Sequence, residues 1–326
     1  MRRIVSYVLI GLGVFAVALG LLLRFYVYPR SAKVPLDVDA VSVAQGYGIT
    51  SVVVDEVDGV PTPEIRQNLS VTSTTHVTGD LTQPQVVEGG DVAVWVEATK
   101  TVDDDSGILL SAYVRSLCVD RQTSDAVAPC DGQYIEEVQG ERVIGAPDAV
   151  QQPGISFKFP FGTEKRSYQL YDTSVKSAVE ARFDGEDTIK GVDVYRFVVD
   201  VAPTKIGAQE VPGSLVGEDE PSVRMDQYYQ DKRTIWVEPA TGVWISVQDK
   251  GKQELVAPGQ SPGEGTVVYE GTMSLNAMSV EDNIKQANDN TGRLALLTVW
   301  SIVMSIFGLA LIAVGVPLLL VRGRRT

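Results

Sequence analysis

The sequence predicts a mainly β, antiparallel domain held between two transmembrane α-helices. An uncharged apolar run lies at each end of the chain, with arginines on the outer flank of both. The middle consists of short stretches rich in Val, Ile, Thr and aromatics, divided by Gly, Pro and Asp turns.

The two runs cover residues 4–23 and 294–321, twenty and twenty-eight residues without a charge. About 20 apolar residues suffice to cross a bilayer, so each is long enough to span, the second with tilt or overhang. Arg2 and Arg3 precede the first run, and Arg322, Arg324 and Arg325 follow the second. No acidic residue lies in 1–23 or 294–326. Positive flanks stay inside, which places tails 1–3 and 322–326 in the cytoplasm and residues 24–293 outside the cell membrane. Phe25, Tyr26 and Tyr28 then form an outer aromatic belt. A cleaved signal peptide is the competing reading of the N-terminus. Its apolar core would be shorter and would end in small residues, whereas this run ends Leu-Leu-Leu-Arg-Phe-Tyr and reads as an uncleaved anchor.

With the five tail arginines set aside, 23 basic residues face 42 acidic ones, a formal charge of −19 on the extracytoplasmic part. Such a surface repels nucleic acid and anionic headgroups; it suits solvation or a cationic partner. Both cysteines, Cys118 and Cys130, lie in this part. Two thiols twelve positions apart in an oxidising compartment read as a disulfide.

Strands are expected at 49–55, 69–77, 92–102, 108–119, 155–161, 167–171, 179–183, 192–201, 234–237, 243–248 and 266–279. The turn Asp103-Asp104-Asp105-Ser106-Gly107 makes the third and fourth a hairpin. Connectors are expected at 61–63, 202–221 and 258–265, leaving either one large β domain or two small ones. Ser279 with Asp282 resembles a capping box opening a helix over 280–292 that runs into the second span. If Val237 pairs with Val243, Trp236 and Trp244 oppose each other on one face.

No catalytic constellation stands out. There is one histidine, His76, in a strand-like Thr-rich stretch, and no Gly-x-Ser-x-Gly elbow. Paired carboxylates for glycoside chemistry remain open, because spacing does not choose a pair. Asp103, Asp104 and Asp105 are a weak calcium candidate, lacking the alternation and distal Glu of a helix-loop-helix site. No cofactor is implied.

The segment Phe157-Lys158-Phe159-Pro160-Phe161-Gly162-Thr163-Glu164-Lys165-Arg166-Ser167-Tyr168, with Tyr171-Asp172 and Trp236-Val237-Glu238-Pro239-Ala240-Thr241-Gly242, resembles an actinobacterial envelope family labelled porin PorA. The likeness covers essentially the whole chain. It implies a cell-envelope role linked to lipomannan and lipoarabinomannan synthesis. The hairpin-like stretches 183–197 and 234–244 also resemble those of half-barrel lipoprotein carriers, which implies a curved sheet and lipid handling. A transmembrane barrel, by contrast, needs at least eight lipid-facing strands and no helical spans.

Phe157, Phe159 and Phe161 share one face if their stretch is extended. They then form either ordinary sheet core or one wall of a lipid-sized groove, with Lys158, Lys165 and Arg166 near a headgroup at its mouth. The expected function is a non-enzymatic envelope protein that binds a lipid or lipoglycan or scaffolds its assembly with envelope-assembly proteins. A carbohydrate-active enzyme or glycosyltransferase subunit is the alternative, and a channel component the third reading.

Overall fold

The computed structural model describes residues 2–320 apart from 58, 88, 131 and 138–150. Arg322, Arg324 and Arg325 lie outside the described residues. The chain forms two compact units, residues 34–287 and the terminal segments 1–33 with 288–326.

The larger unit is an eleven-stranded antiparallel sheet that curves into a half-barrel. Its strands are β1 (Asp39–Val57), β2 (Val60–Gly79), β3 (Val92–Asp103), β4 (Leu109–Asp120), β5 (Tyr134–Glu137), β6 (Tyr168–Asp172), β7 (Ser177–Ile189), β8 (Val192–Val211), β9 (Val223–Val237), β10 (Trp244–Val256) and β11 (Thr266–Leu275). The order is β5-β4-β3-β2-β1-β11-β10-β9-β8-β7-β6, so nearly every neighbour is a hairpin partner and β1 closes on β11. The turn Lys190-Gly191 has both φ values positive, as a two-residue hairpin joining β7 to β8 requires.

Irregular chain links β4 to the edge strand β6. The Val127 N–H donates to the Cys118 carbonyl, Ala126 N–H to Gly154 O, and Tyr171 N–H to Ile155 O. Residues 125–127 and 154–155 thus bridge β4 to β6. Cys118 and Cys130 are bonded and close the loop that supplies the first of these bridges.

Several expected elements differ. Residues 155–161 are not a strand: only Ile155 joins the ladder, between Asp125 and Leu170. Pro61 and Pro63 lie inside β2 rather than in a connector, at the end where β2 pairs β1 and has no β3 partner. A missing N–H costs nothing on such a free edge. Pro203 sits in β8 at a break in the β8–β9 register, the other place where a strand tolerates proline. A register shift between Trp244 and Ser246 pairs Val237 with Trp244 and Trp236 with Ser246. The tryptophans are therefore not opposed: Trp244 packs with the inner core around Phe159, and Trp236 with a second core around Ile245.

The C-terminal helix (Ala277–Leu320) begins on the sheet, its residues Val280, Ile284 and Ala287 packing on Val194, Val243 and Ile245. Its cap is Asn276, whose Oδ1 accepts the Ser279 N–H at 2.9 Å. Ser279 is instead buried, accepting the Val43 N–H of β1 at 2.8 Å.

In the smaller unit the N-terminal helix (Arg2–Leu22) continues through a π-helical turn (Leu23–Val27) and a last turn (Tyr28–Ser31). Segments Arg3–Ser31 and Ala277–Leu320 are long and apolar enough to cross a membrane. Arg30 lies over the Tyr26 ring and Arg24 over that of Tyr28. The helices meet along two seven-residue series, Ser6, Gly13, Gly20 and Ser301, Gly308, Gly315. A Cβ on Gly13 would fall 2.6 Å from the Gly308 carbonyl, one on Gly308 2.5 Å from the Gly13 carbonyl, and one on Gly20 2.7 Å from the Ser301 carbonyl. The backbones touch because these residues carry almost no side chain, the usual packing device of membrane helices. A seven-residue step keeps the seam on one side of each helix.

Candidate functional site: the docked motif segments

The two stretches singled out in the sequence meet in space. β9 and β10 are joined by a loop that Glu238 holds shut: its carboxylate accepts the N–H groups of Ala240 (2.9 Å) and Thr241 (2.8 Å) and the Thr241 hydroxyl. The outer rim of that loop offers carbonyls to residues 159–163. Phe159 N–H donates to Gly242 O (2.8 Å), Gly162 N–H to Ala240 O (3.1 Å), and Thr163 N–H to Pro239 O (2.7 Å). Gly242 has φ +75°, and a Cβ there would lie 2.0 Å from the Phe159 carbonyl oxygen.

This docking decides where the predicted residues point. Phe159 is fully buried, its ring 4.5 Å from that of Phe197 and 5.0 Å from that of Tyr168. Phe157 and Phe161 face the other way and join Val34, Ala93 and Trp95, with Phe157 5.3 Å from Trp95. The three rings therefore do not form one wall, because the segment is not extended and loses the period of two. They fill two separate cores and pin the segment between β2–β3 and β6–β9.

Lys158 is half-buried; its Nζ donates to the Phe159 carbonyl at 2.9 Å and stands 3.8 Å from the centre of the Phe161 ring. Burial pushes its ammonium down to about 7, with Glu238 opposing the shift. Arg166 is exposed, stacked on Tyr168 and hydrogen-bonded to Glu164 at 3.2 Å; Lys165 pairs with Glu186. The cations are thus occupied locally and do not converge on a common anion position.

Asp103 turns inward and accepts the N–H and hydroxyl of Ser106, which holds its carboxyl below the usual range, while Asp104 and Asp105 are exposed. Among the described residues no group of three His, Cys, Asp or Glu is placed to hold a metal ion. His76 is half exposed beside Asp39.

A model of the Porin PorA family matches residues 5–317. The chain belongs to the Porin PorA family. A Porin PorA of Corynebacterium amycolatum is 25% identical over 299 residues, covering 76% of each chain. Another, of Corynebacterium resistens, is 24% identical over 331 residues, covering 78% of this chain and 77% of the relative. With its two apolar helices, this Porin PorA family member is a membrane-associated envelope protein.

Two buried ionic groups were missed by sequence reasoning. Arg115 on β4 grips Glu97 on β3 through Nε at 2.8 Å and reaches Gln152 and Ser156, both at 3.2 Å. Arg233 on β9 binds Asp249 of β10 at 2.8 Å and Asp172 of β6 at 3.2 Å. A signal existed: Glu97 follows Ala93 and Trp95 in phase, and Arg233 precedes Ile235 and Val237 in phase, so these charges fall on inward-facing strand positions.

Proposed function

We propose that this family member is a non-enzymatic envelope protein anchored at both ends. Its termini are cytoplasmic, and the half-barrel outside the membrane is a scaffold for proteins that assemble an envelope lipid or lipoglycan. The observation that carries this reading is the burial of Phe159 among Phe197, Tyr168 and Trp244, where a lipid groove would have needed an open apolar wall. Glycoside chemistry needs two carboxylates about 5 to 9.5 Å apart in an open cleft, whereas Asp172, Asp231 and Asp249 are gathered on a single arginine.

The test is purification from native membranes in mild detergent, followed by native mass spectrometry. The scaffold reading expects a partner polypeptide retained in a fixed ratio. A chain that emerges alone, carrying one lipid that Phe159→Ala releases, would replace it with a lipid carrier.

A channel is the second reading, favoured by the name porin that both relatives carry. The Gly13–Gly308 contact leaves no lumen between the two helices of one chain. A channel would therefore need several copies.

A further inference from the structure

The Arg233 cluster holds more negative charge than one guanidinium can balance. Arg233 Nη2 is 3.2 Å from Asp172 Oδ2 and 3.3 Å from Asp231 Oδ2, and Nε is 2.8 Å from Asp249 Oδ2. The side chains of Asp172 and Asp231 have no accessible surface, and neither Asp231 oxygen has a hydrogen-bond partner. The Nη2 contact to Asp231 is close, but it lacks hydrogen-bond geometry. A buried carboxylate left like this is costly, whereas a neutral carboxyl can donate to a neighbouring carboxylate. Asp249 supplies that neighbour: it lies opposite Arg233 on β10, and its carboxylate binds the same guanidinium that Asp231 approaches.

We propose that Asp231 and Asp249 hold one proton between them, making the Arg233 cluster a pH-sensitive latch that ties edge strand β6 to β9 and β10. β6 lies three places from β9 in the sheet, so the Asp172–Arg233 contact crosses the curve of the half-barrel instead of following the ladder. With the proton bound, two carboxylates face one guanidinium; without it there are three. The titratable groups facing Asp231 are Asp249 of β10, Asp172 of β6, Tyr229 of β9 and Tyr269 of β11, while β8 presents Val199 and Val201. Both tyrosines are pushed up by burial and stay neutral, so neither supplies a compensating charge. Burial first, and then Asp249, push the Asp231 carboxyl up to about 8, in keeping with the geometry.

Infrared spectroscopy of the full chain in detergent tests the shared proton. Wild type at pH 7 should show a buried, protonated carboxyl stretch that disappears by pH 10 and is missing from Asp231→Asn. The same band persisting in the variant, or no such band in wild type at pH 7, overturns the proposal. Hydrogen exchange over Tyr168–Asp172, corrected for the intrinsic pH dependence, tests the latch. Protection should fall by up to about tenfold per pH unit as pH rises from the ordinary carboxylate range toward about 8 in wild type, level off above that, and stay flat throughout in Asp231→Asn. If that variant does not fold, Asp249→Asn should move the wild-type transition to lower pH. An unmoved transition, or flat wild-type protection, defeats the latch.

Discussion

The Phe159 N–H donates to the Gly242 carbonyl at 2.8 Å, and Gly242 holds a φ of +75° with its α-carbon against the Phe159 carbonyl. Two segments 83 positions apart in sequence are thereby fixed face to face. Gly242→Ala would introduce both a disfavoured φ and a Cβ 2.0 Å from an oxygen. Urea unfolding followed by tryptophan fluorescence should show a loss of about 2 kcal/mol or more. Phe159→Ala should cost about 3–5 kcal/mol, and Phe161→Ala, only half buried, clearly less.

Lys158 gives stability a slope in alkaline solution. Its folded pKa is about 7, and an unfolded lysine titrates near 10.4. Between those values the unfolded chain binds the extra proton, so this group's stabilisation grows as pH rises and is lost as pH falls through about 7. Lys158→Met should flatten that part of the stability–pH curve, measured by denaturant titration in steps from pH 6 to 10.

The disulfide closes the loop that bridges β4 toward β6. Replacing Cys118 and Cys130 together by serine should cost on the order of 3 kcal/mol by loop entropy. Limited proteolysis should then cut first near residues 119–129. A variant as resistant as wild type would show that the bridge stands without the staple.

The two terminal helices supply their own control. Gly13→Leu or Gly308→Leu should abolish disulfide crosslinking between cysteines placed at Ile10 and Gly315, which face each other across the seam, because either side chain would collide with the opposite backbone. Gly11→Leu should leave crosslinking unchanged, since nothing lies within 4 Å of a Cβ there.

The helices and most strands were legible because length, charge and alternation are local properties. Val-rich alternation marks residues 92–102 and 192–201 as strands, and the structure extends both. Failures came where a long-range partner overrides the local pattern. The Phe157–Phe161 alternation implied one face, yet hydrogen bonds to residues 239–242 hold the segment out of the sheet. The tryptophan pair was misplaced by one bulge, which no residue type in 243–246 announces. Ser279 looked like a cap, but β1 claims its hydroxyl and leaves the task to Asn276. The contacts of Arg233 depend on the register of β9 with β10 and on the curve that brings β6 across, neither of which spacing reveals.

On the proposed scaffold reading, with the two helices in backbone contact, the protein should conduct no ions. Single-channel recording of the purified full-length protein in planar bilayers tests it most directly. The membrane should stay silent at protein densities where a pore-forming control conducts. Reproducible unitary steps that change size in Gly308→Leu would contradict it, because they would place the helix seam in a conducting path.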